Sequence, residues 1–285
     1  MLSYRHAFHA GNFADVLKHL VLTGTLRYAT TKAAPLLYLD THAGAGHYRL
    51  DASEAQRTGE AARGILQLDL AALADACNVA GAALLRAYHE LVAPFLARGS
   101  YPGSPLVAAA LLRPQDHLHL CELHPADYAR LCEITQRDRR IRVEQADGFQ
   151  RAVALLPPAQ KRAVVLVDPS YEVKQDYRTV VRTLTAIHQR MPAAQVLLWY
   201  PVVERSDIAR LCAALQHSPL RDVWQVELGL RPDAPGHGMS ASGLLLLNPP
   251  WTLPTALREA LPLVQASLGP AAAYGYWRVE RLIEE

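Results

Sequence analysis

The residues best suited to chemistry in this chain are Asp168-Pro169-Ser170-Tyr171, which bring a carboxylate, a proline carbonyl and an aromatic ring within four positions. That set suits one difficult substrate, the exocyclic amine of a nucleobase. Such an amine is a poor nucleophile because its lone pair is delocalised into the ring. Asp168 and a fixed Pro169 carbonyl can accept both N–H protons and draw the nitrogen towards tetrahedral geometry. Tyr171 can stack on a base that has left its helix. Over so short a stretch, a strand-ending turn with a surface tyrosine would look the same.

The chemistry depends on where the chain puts these groups. Val164–Val167 is an unbroken apolar run, as expected of a strand buried on both faces of a parallel sheet. Pro169 ends it, because proline has no N–H to continue the ladder. Asp168 then stands at the carboxyl end of a buried strand, the edge where open α/β sheets bind ligands. Leu36–Asp40 is a second such strand. It runs into Thr41-His42-Ala43-Gly44-Ala45-Gly46, whose glycines permit a tight turn and a close approach of backbone to ligand. Asp-x-x-x-Gly-x-Gly after a strand resembles the first motif of enzymes that use S-adenosylmethionine, although the third glycine of the dinucleotide fingerprint is missing. His117–Glu122 alternates as a strand and ends in Glu122, the candidate for a cofactor's ribose hydroxyls. Ile141–Gly148 brings Asp147 to another strand end, where it suits the adenine amine of the cofactor. Acids gathered at four successive strand ends would repel one another without a ligand to receive.

The remaining elements follow from periodicity. Asn12 is positioned to cap a helix with Asp15 in its first turn and a stripe of Val16, Leu17, Leu20 and Leu22. Lys18 and His19 lie beside that stripe, by the plainest reading as a solvated face and a partly buried imidazole. Residues 51–103 are rich in alanine and leucine at helical spacing (Leu84, Leu85, Tyr88, Leu91, Val92, Phe95). They are expected to form a helical insertion subdomain, with residues 1–50 and 104–285 as the catalytic domain and 1–30 as its leader and first helix. Arg57 and Arg63 could face nucleic acid, though a solvated helix face explains either. A helix is predicted around Tyr177, Val180, Val181 and Leu184, and a fifth strand over Val196–Tyr200, closed by Pro201. Val223–Leu230 and Leu244–Leu247 should pair antiparallel. The loop between them, Arg231–Ser242, should open at the ligand edge and close over substrate. Asn248-Pro249-Pro250-Trp251 matches an amino-methyltransferase tetrapeptide better than Asp168–Tyr171 does. An antiparallel strand would point it away from that edge, so it is read as a structural turn.

The totals set bounds on these readings. A chain of 285 residues with 51% hydrophobic and 20% charged residues has enough apolar side chain for a sizeable core. A net charge of +2 is not that of a histone-like binder, yet nearly all the basic residues are arginine, suited to phosphate forks and base stacking. Cys77, Cys121, Cys132 and Cys212 lack Cys-x-x-Cys spacing, so neither a disulfide framework nor a metal is expected. The first residues lack the apolar core of a signal peptide, and no run reaches the roughly 18 apolar residues of a membrane span. A soluble, cytoplasmic protein, monomeric by default, is the expectation.

Together these residues resemble the RlmJ family, bacterial methyltransferases of adenine N6 in 23S ribosomal RNA. Met-Leu-Ser-Tyr-Arg-His, Phe8–Asn12, Asp15–His19, Tyr38–Gly46, Tyr101–Pro105, Glu122–Pro125, Ala146–Gln150 and Trp199–Val203 carry the likeness, which spans essentially the whole chain. The resemblance implies a Rossmann-like α/β fold with a seven-stranded, mostly parallel sheet and a helical insertion after the first strand. It implies S-adenosylmethionine as methyl donor and an adenine of 23S ribosomal RNA as acceptor. Carried over residue by residue, His19, His42, Gly44, Ser104, Glu122, Asp147, Gly148 and Asp168 would hold the cofactor. Tyr4 and Lys18 would touch RNA, and Asp168, Pro169 and Tyr171 would form the catalytic group. Ser170 departs from the family's Asp-Pro-Pro-Tyr. The alternatives are a methyltransferase for DNA adenine or another RNA amine, and a non-catalytic RNA-binding protein on the same fold. A dinucleotide oxidoreductase fits least, for want of a complete glycine motif.

Overall fold

The computed structural model describes residues 5–173, 175–233, 238–269 and 275–285. Its strands are β1 (Leu37–Asp40), β2 (His47–Arg49), β3 (Ser100–Pro102), β4 (His117–Cys121), β5 (Ile141–Glu144), β6 (Ala163–Val167), β7 (Gln195–Val202), β8 (Val223–Gly229), β9 (Ala241–Leu247) and β10 (Tyr276–Ile283). Its helices are α1 (Phe13–Ala29), α2 (Ser53–Thr58), α3 (Leu70–Asp75), α4 (Val79–Leu96), α5 (Ser104–Leu111), α6 (Pro125–Thr135), α7 (Gly148–Ala154), α8 (Asp176–Arg190), α9 (Arg205–Gln216) and α10 (Leu253–Leu268).

Eight strands form the main sheet in the order β10-β8-β9-β7-β6-β1-β4-β5. The five from β7 to β5 are mutually parallel, while β9 lies antiparallel to β7 and β8. The seven strands expected are present, and β10 adds an eighth, antiparallel to β8. Burial on both faces explains the apolar runs. Tyr38, Val164 and Leu166 join one core with α1, α4 and α10, whereas their neighbours Leu39, Val165 and Val167 join another with α8 and α9. Each such side chain contributes about 1.5–3 kcal/mol when fully buried.

Asn12 caps α1 as expected, its side chain accepting from the Asp15 amide at 2.9 Å. The chain leaves the sheet after β1 and returns at α5. The short β2 and β3 pair antiparallel across the two ends of that excursion, α4 packs between α1 and α10, and α3 packs on α4 and α10. β7 does not close at Pro201 but runs to Val202 beside β9, where the missing proline N–H costs one ladder bond. Asn248 follows the antiparallel β9 and lies at the opposite edge from Asp168, with its amide donating to the Pro192 and Ala194 carbonyls. The second proline tetrapeptide is thus a turn. Among the described residues no helix is long and apolar enough to cross a membrane.

Candidate active site

Sheet polarity brings the four acids together. Asp40 ends β1, Glu122 follows β4, Asp147 follows β5 and Asp168 follows β6, all at the carboxyl edge. Along that edge runs a cleft of about 830 Å³, walled by α1, the loops after β1, β4, β5 and β6, and the start of α5. Every predicted site residue among the described residues lines it. Tyr4 lies outside the described residues, as do residues 234–237 of the Arg231–Ser242 loop.

Asp168 is held by α1. Its Oδ2 accepts from Lys18 Nζ at 2.7 Å, and Lys18 also pairs with Asp15 Oδ1 at 2.9 Å. Lys18 is therefore no solvated face: it is 4% exposed, wedged between two carboxylates. Asp15 accepts in turn from His6 at 2.8 Å and from the Gly11 amide at 2.9 Å. Burial alone would raise the Asp15 pKa, but His6 and Lys18 outweigh it and hold the carboxyl well below its usual range. At Asp168 burial prevails over Lys18, and the pKa is raised. Sequence reasoning missed Asp15 as part of this group. Its place three residues after a capping asparagine read only as helix chemistry.

Tyr171 sits at φ 54°, a left-handed backbone that a bulky residue adopts only when its surroundings impose it. Its hydroxyl donates to the Trp199 carbonyl at 2.8 Å, and its ring lies 4.6 Å from that of Tyr177. The ring is thereby fixed at the cleft wall.

The other acids are equally restrained. Asp40, fully buried, accepts from Ser104 Oγ at 2.6 Å and Tyr38 at 2.9 Å, and burial lifts its pKa to about 6. Glu122 accepts from the amides of Gly44 at 2.8 Å and His124 at 2.7 Å, while burial raises its pKa. Asp147 caps α7 through the amides of Phe149 and Gln150. His42 donates to or accepts from Thr41 Oγ1 at 2.7 Å and meets Phe149 edge-on, and burial lowers its pKa to about 4. His19 is buried outright, not partly, and burial lowers its pKa to about 3.

The cleft fits an adenosyl cofactor by its backbone as well as its acids. Gly44 has φ 61°, and a Cβ there would collide with the Tyr48 hydroxyl. A Cβ at Gly148 would collide with the Thr41 carbonyl, so α7 can begin this close to the loop after β1 only with glycine. A buried nitrogen of His19, Nε2, has no partner among the described residues and stands ready for a ligand.

An open sheet of this order, with a glycine turn after its first strand and acids at the next two strand ends, defines a Rossmann-like S-adenosylmethionine-dependent methyltransferase. Comparison with known proteins narrows the class. Residues 33–283 match the family model described as ribosomal RNA large subunit methyltransferase D, RlmJ, and the chain belongs to that family. It is 44% identical to ribosomal RNA large subunit methyltransferase J of Escherichia coli and 41% identical to that of Haemophilus influenzae, covering 100% of each chain in both cases. A Legionella pneumophila protein of known crystal structure superposes with a TM-score of 0.84 at 32% identity, over 96% of this chain and 98% of that one.

Proposed function

We propose that this protein methylates the N6 amine of a particular adenine in 23S ribosomal RNA, with S-adenosylmethionine as donor. The observation that carries the reading is the convergence of Asp168, Pro169 and Tyr171 on a cleft already provided with acids for a nucleoside cofactor. Glu122 and Asp147 suit its ribose and adenine, His19, His42, Gly44, Ser104 and Gly148 complete its pocket, and Asp168 borders the reacting end. When bound, the cofactor supplies an electrophilic methyl group on a sulfonium, which leaves readily without a metal.

The chain's own residues do the rest. Tyr171, locked through its hydroxyl, offers a ring for a flipped base, whose unstacking costs roughly a few kcal/mol. With Oδ2 engaged by Lys18, Asp168 keeps Oδ1 to accept one N6 proton, and the Pro169 carbonyl accepts the other. Lys18 thus acts by keeping Asp168 ionised, next to any contact it makes with RNA. Most of the acceleration comes from positioning and from acceptors aimed at the charge developing on nitrogen. Residues 51–103 supply a subdomain beside the cleft for RNA, and Tyr4 is assigned to RNA as well.

The test is transfer of labelled methyl from S-adenosylmethionine to protein-free ribosomal RNA from cells lacking this protein, followed by nucleoside analysis. N6-methyladenosine in the large-subunit RNA is expected. Label in another base would overturn the substrate assignment.

A further inference from the structure

Beyond the acids, a buried chain of three rings reaches the cleft wall through His19. His19 is 1% exposed, and its Nδ1 lies 2.9 Å from the Tyr101 hydroxyl. That hydroxyl lies 2.7 Å from the hydroxyl of Tyr88, and both tyrosines are fully buried. The imidazole stacks on the Tyr101 ring with centroids 5.4 Å apart. Tyr88 belongs to α4 and Tyr101 to β3, so the chain runs from the segment inserted after β1 into the cleft.

Proton bookkeeping gives the chain a direction. Burial keeps the imidazole neutral, so it carries one N–H. Were that proton on Nδ1, Tyr101 would accept it and donate to Tyr88, whose own hydroxyl hydrogen would then have no acceptor among the described residues. In the opposite sense Tyr88 donates to Tyr101, Tyr101 donates to Nδ1, and each hydroxyl proton is satisfied. The one group left over is Nε2–H, which is buried at the cleft wall. Unsatisfied buried donors are costly; each sense leaves one, and the sense that leaves it at the cleft wall, where a ligand can accept it, prevails over the one that strands it on Tyr88.

We propose that Tyr101 and Tyr88 are positioning residues that fix His19 as its Nε2–H tautomer, a neutral donor for the carboxylate of the cofactor's amino-acid end. The assignment rests on the cofactor reading above. Asp147 and Glu122 follow β5 and β4 and suit adenine and ribose, so the methionyl end falls at the next strand, β1, beside Asp40. There Ser104 opens α5 and bonds Asp40, three residues after Tyr101. A carboxylate at that point meets the partial positive charge of the α5 N-terminus as well as Nε2–H.

The tautomer is read directly by NMR of the intact protein with heavy-nitrogen histidine, the His19 signals being assigned by their loss in His19→Gln. Protonated Nε2 with a bare Nδ1 is expected, and the reverse would overturn the proposal without any change to the relay. In Tyr101→Phe, affinity for S-adenosylhomocysteine should fall about tenfold, the worth of one hydrogen bond. Affinity for methylthioadenosine, which lacks the amino-acid end, should change by less than about twofold, as should kcat at saturating cofactor. Tyr88→Phe should show the same pattern with a loss of about threefold. Equal losses for both nucleosides, or none for either, would reduce the tyrosines to packing. A wild-type protein that binds neither nucleoside would instead sink the cofactor reading, while NMR still reports the tautomer.

Discussion

Asp168 works under two opposed influences, and its pH behaviour follows from them. In the role proposed for it, accepting an amine proton, it must be ionised. Burial raises its pKa, and Lys18 at 2.7 Å partly restores the charge. The rate should therefore fall on the acid side as pH drops through that raised value. Lys18→Met removes the restoring charge and should move the acid limb to higher pH, as rate profiles against pH will reveal. Asp168→Asn should lower kcat by about 10²–10³-fold, the usual loss for a group that stabilises charge only in the transition state, with the fold retained. Retention of most activity in that variant would mean the amine is held by something else.

At the scale of elements, the site depends on close backbone approach between the loop after β1 and the start of α7. Gly148→Ala places a methyl group against the Thr41 carbonyl, with backbone on both sides and no flexible side chain to give way. Cofactor affinity should drop more than about tenfold, with a stability loss of about 1–3 kcal/mol, measured by titration and urea denaturation. Wild-type affinity in this variant would show that α7 can shift at no cost. The strands that carry the acids were legible in the sequence because a buried parallel strand is apolar on both faces and its end is marked by the first charge. Asp40 and Asp168 announce themselves in this way, whereas Glu122 closes a strand that alternates histidine with leucine. What could not be read was contact between elements. That α1 crosses the end of β6, bringing Asp15 and Lys18 onto Asp168, involves residues 150 positions apart and leaves no periodic trace. The edge strand β10 was missed for a related reason: Tyr276–Ile283 alternates burial irregularly and mixes charges into both faces.

For the molecule as a whole, buried titratable groups tie stability to pH. His19 and His42 remain neutral in the fold, with pKa values near 3 and 4, while the unfolded chain protonates them near 6.5. Their contribution is present at neutral pH and is lost as pH falls below about 6.5. Asp40 acts in the opposite sense. Its folded pKa of about 6 lies above the ordinary 3.8, so its contribution is greatest in acid and is lost as pH rises through 6. Two groups against one leave a net loss on acidification on the order of 1 kcal/mol per pH unit between roughly pH 4 and 6 from these three alone. In His19→Gln the fall should be shallower by that amount, as urea melts at several pH values will measure. An unchanged slope would place the His19 proton elsewhere. The sheet order carries one more consequence, for the time course of folding. Leu37, in the middle of the five parallel strands, pairs with His117 on one side and Ala163 on the other, so β1 is made long before either neighbour. Closing loops of that length precedes any reward from the pairing, which makes the assembly of the sheet slow compared with that of its helices. Until then Leu36–Leu39 is a bare apolar strand, open on both edges to any other extended chain, and the helices that pack early around α1 are its natural shelter.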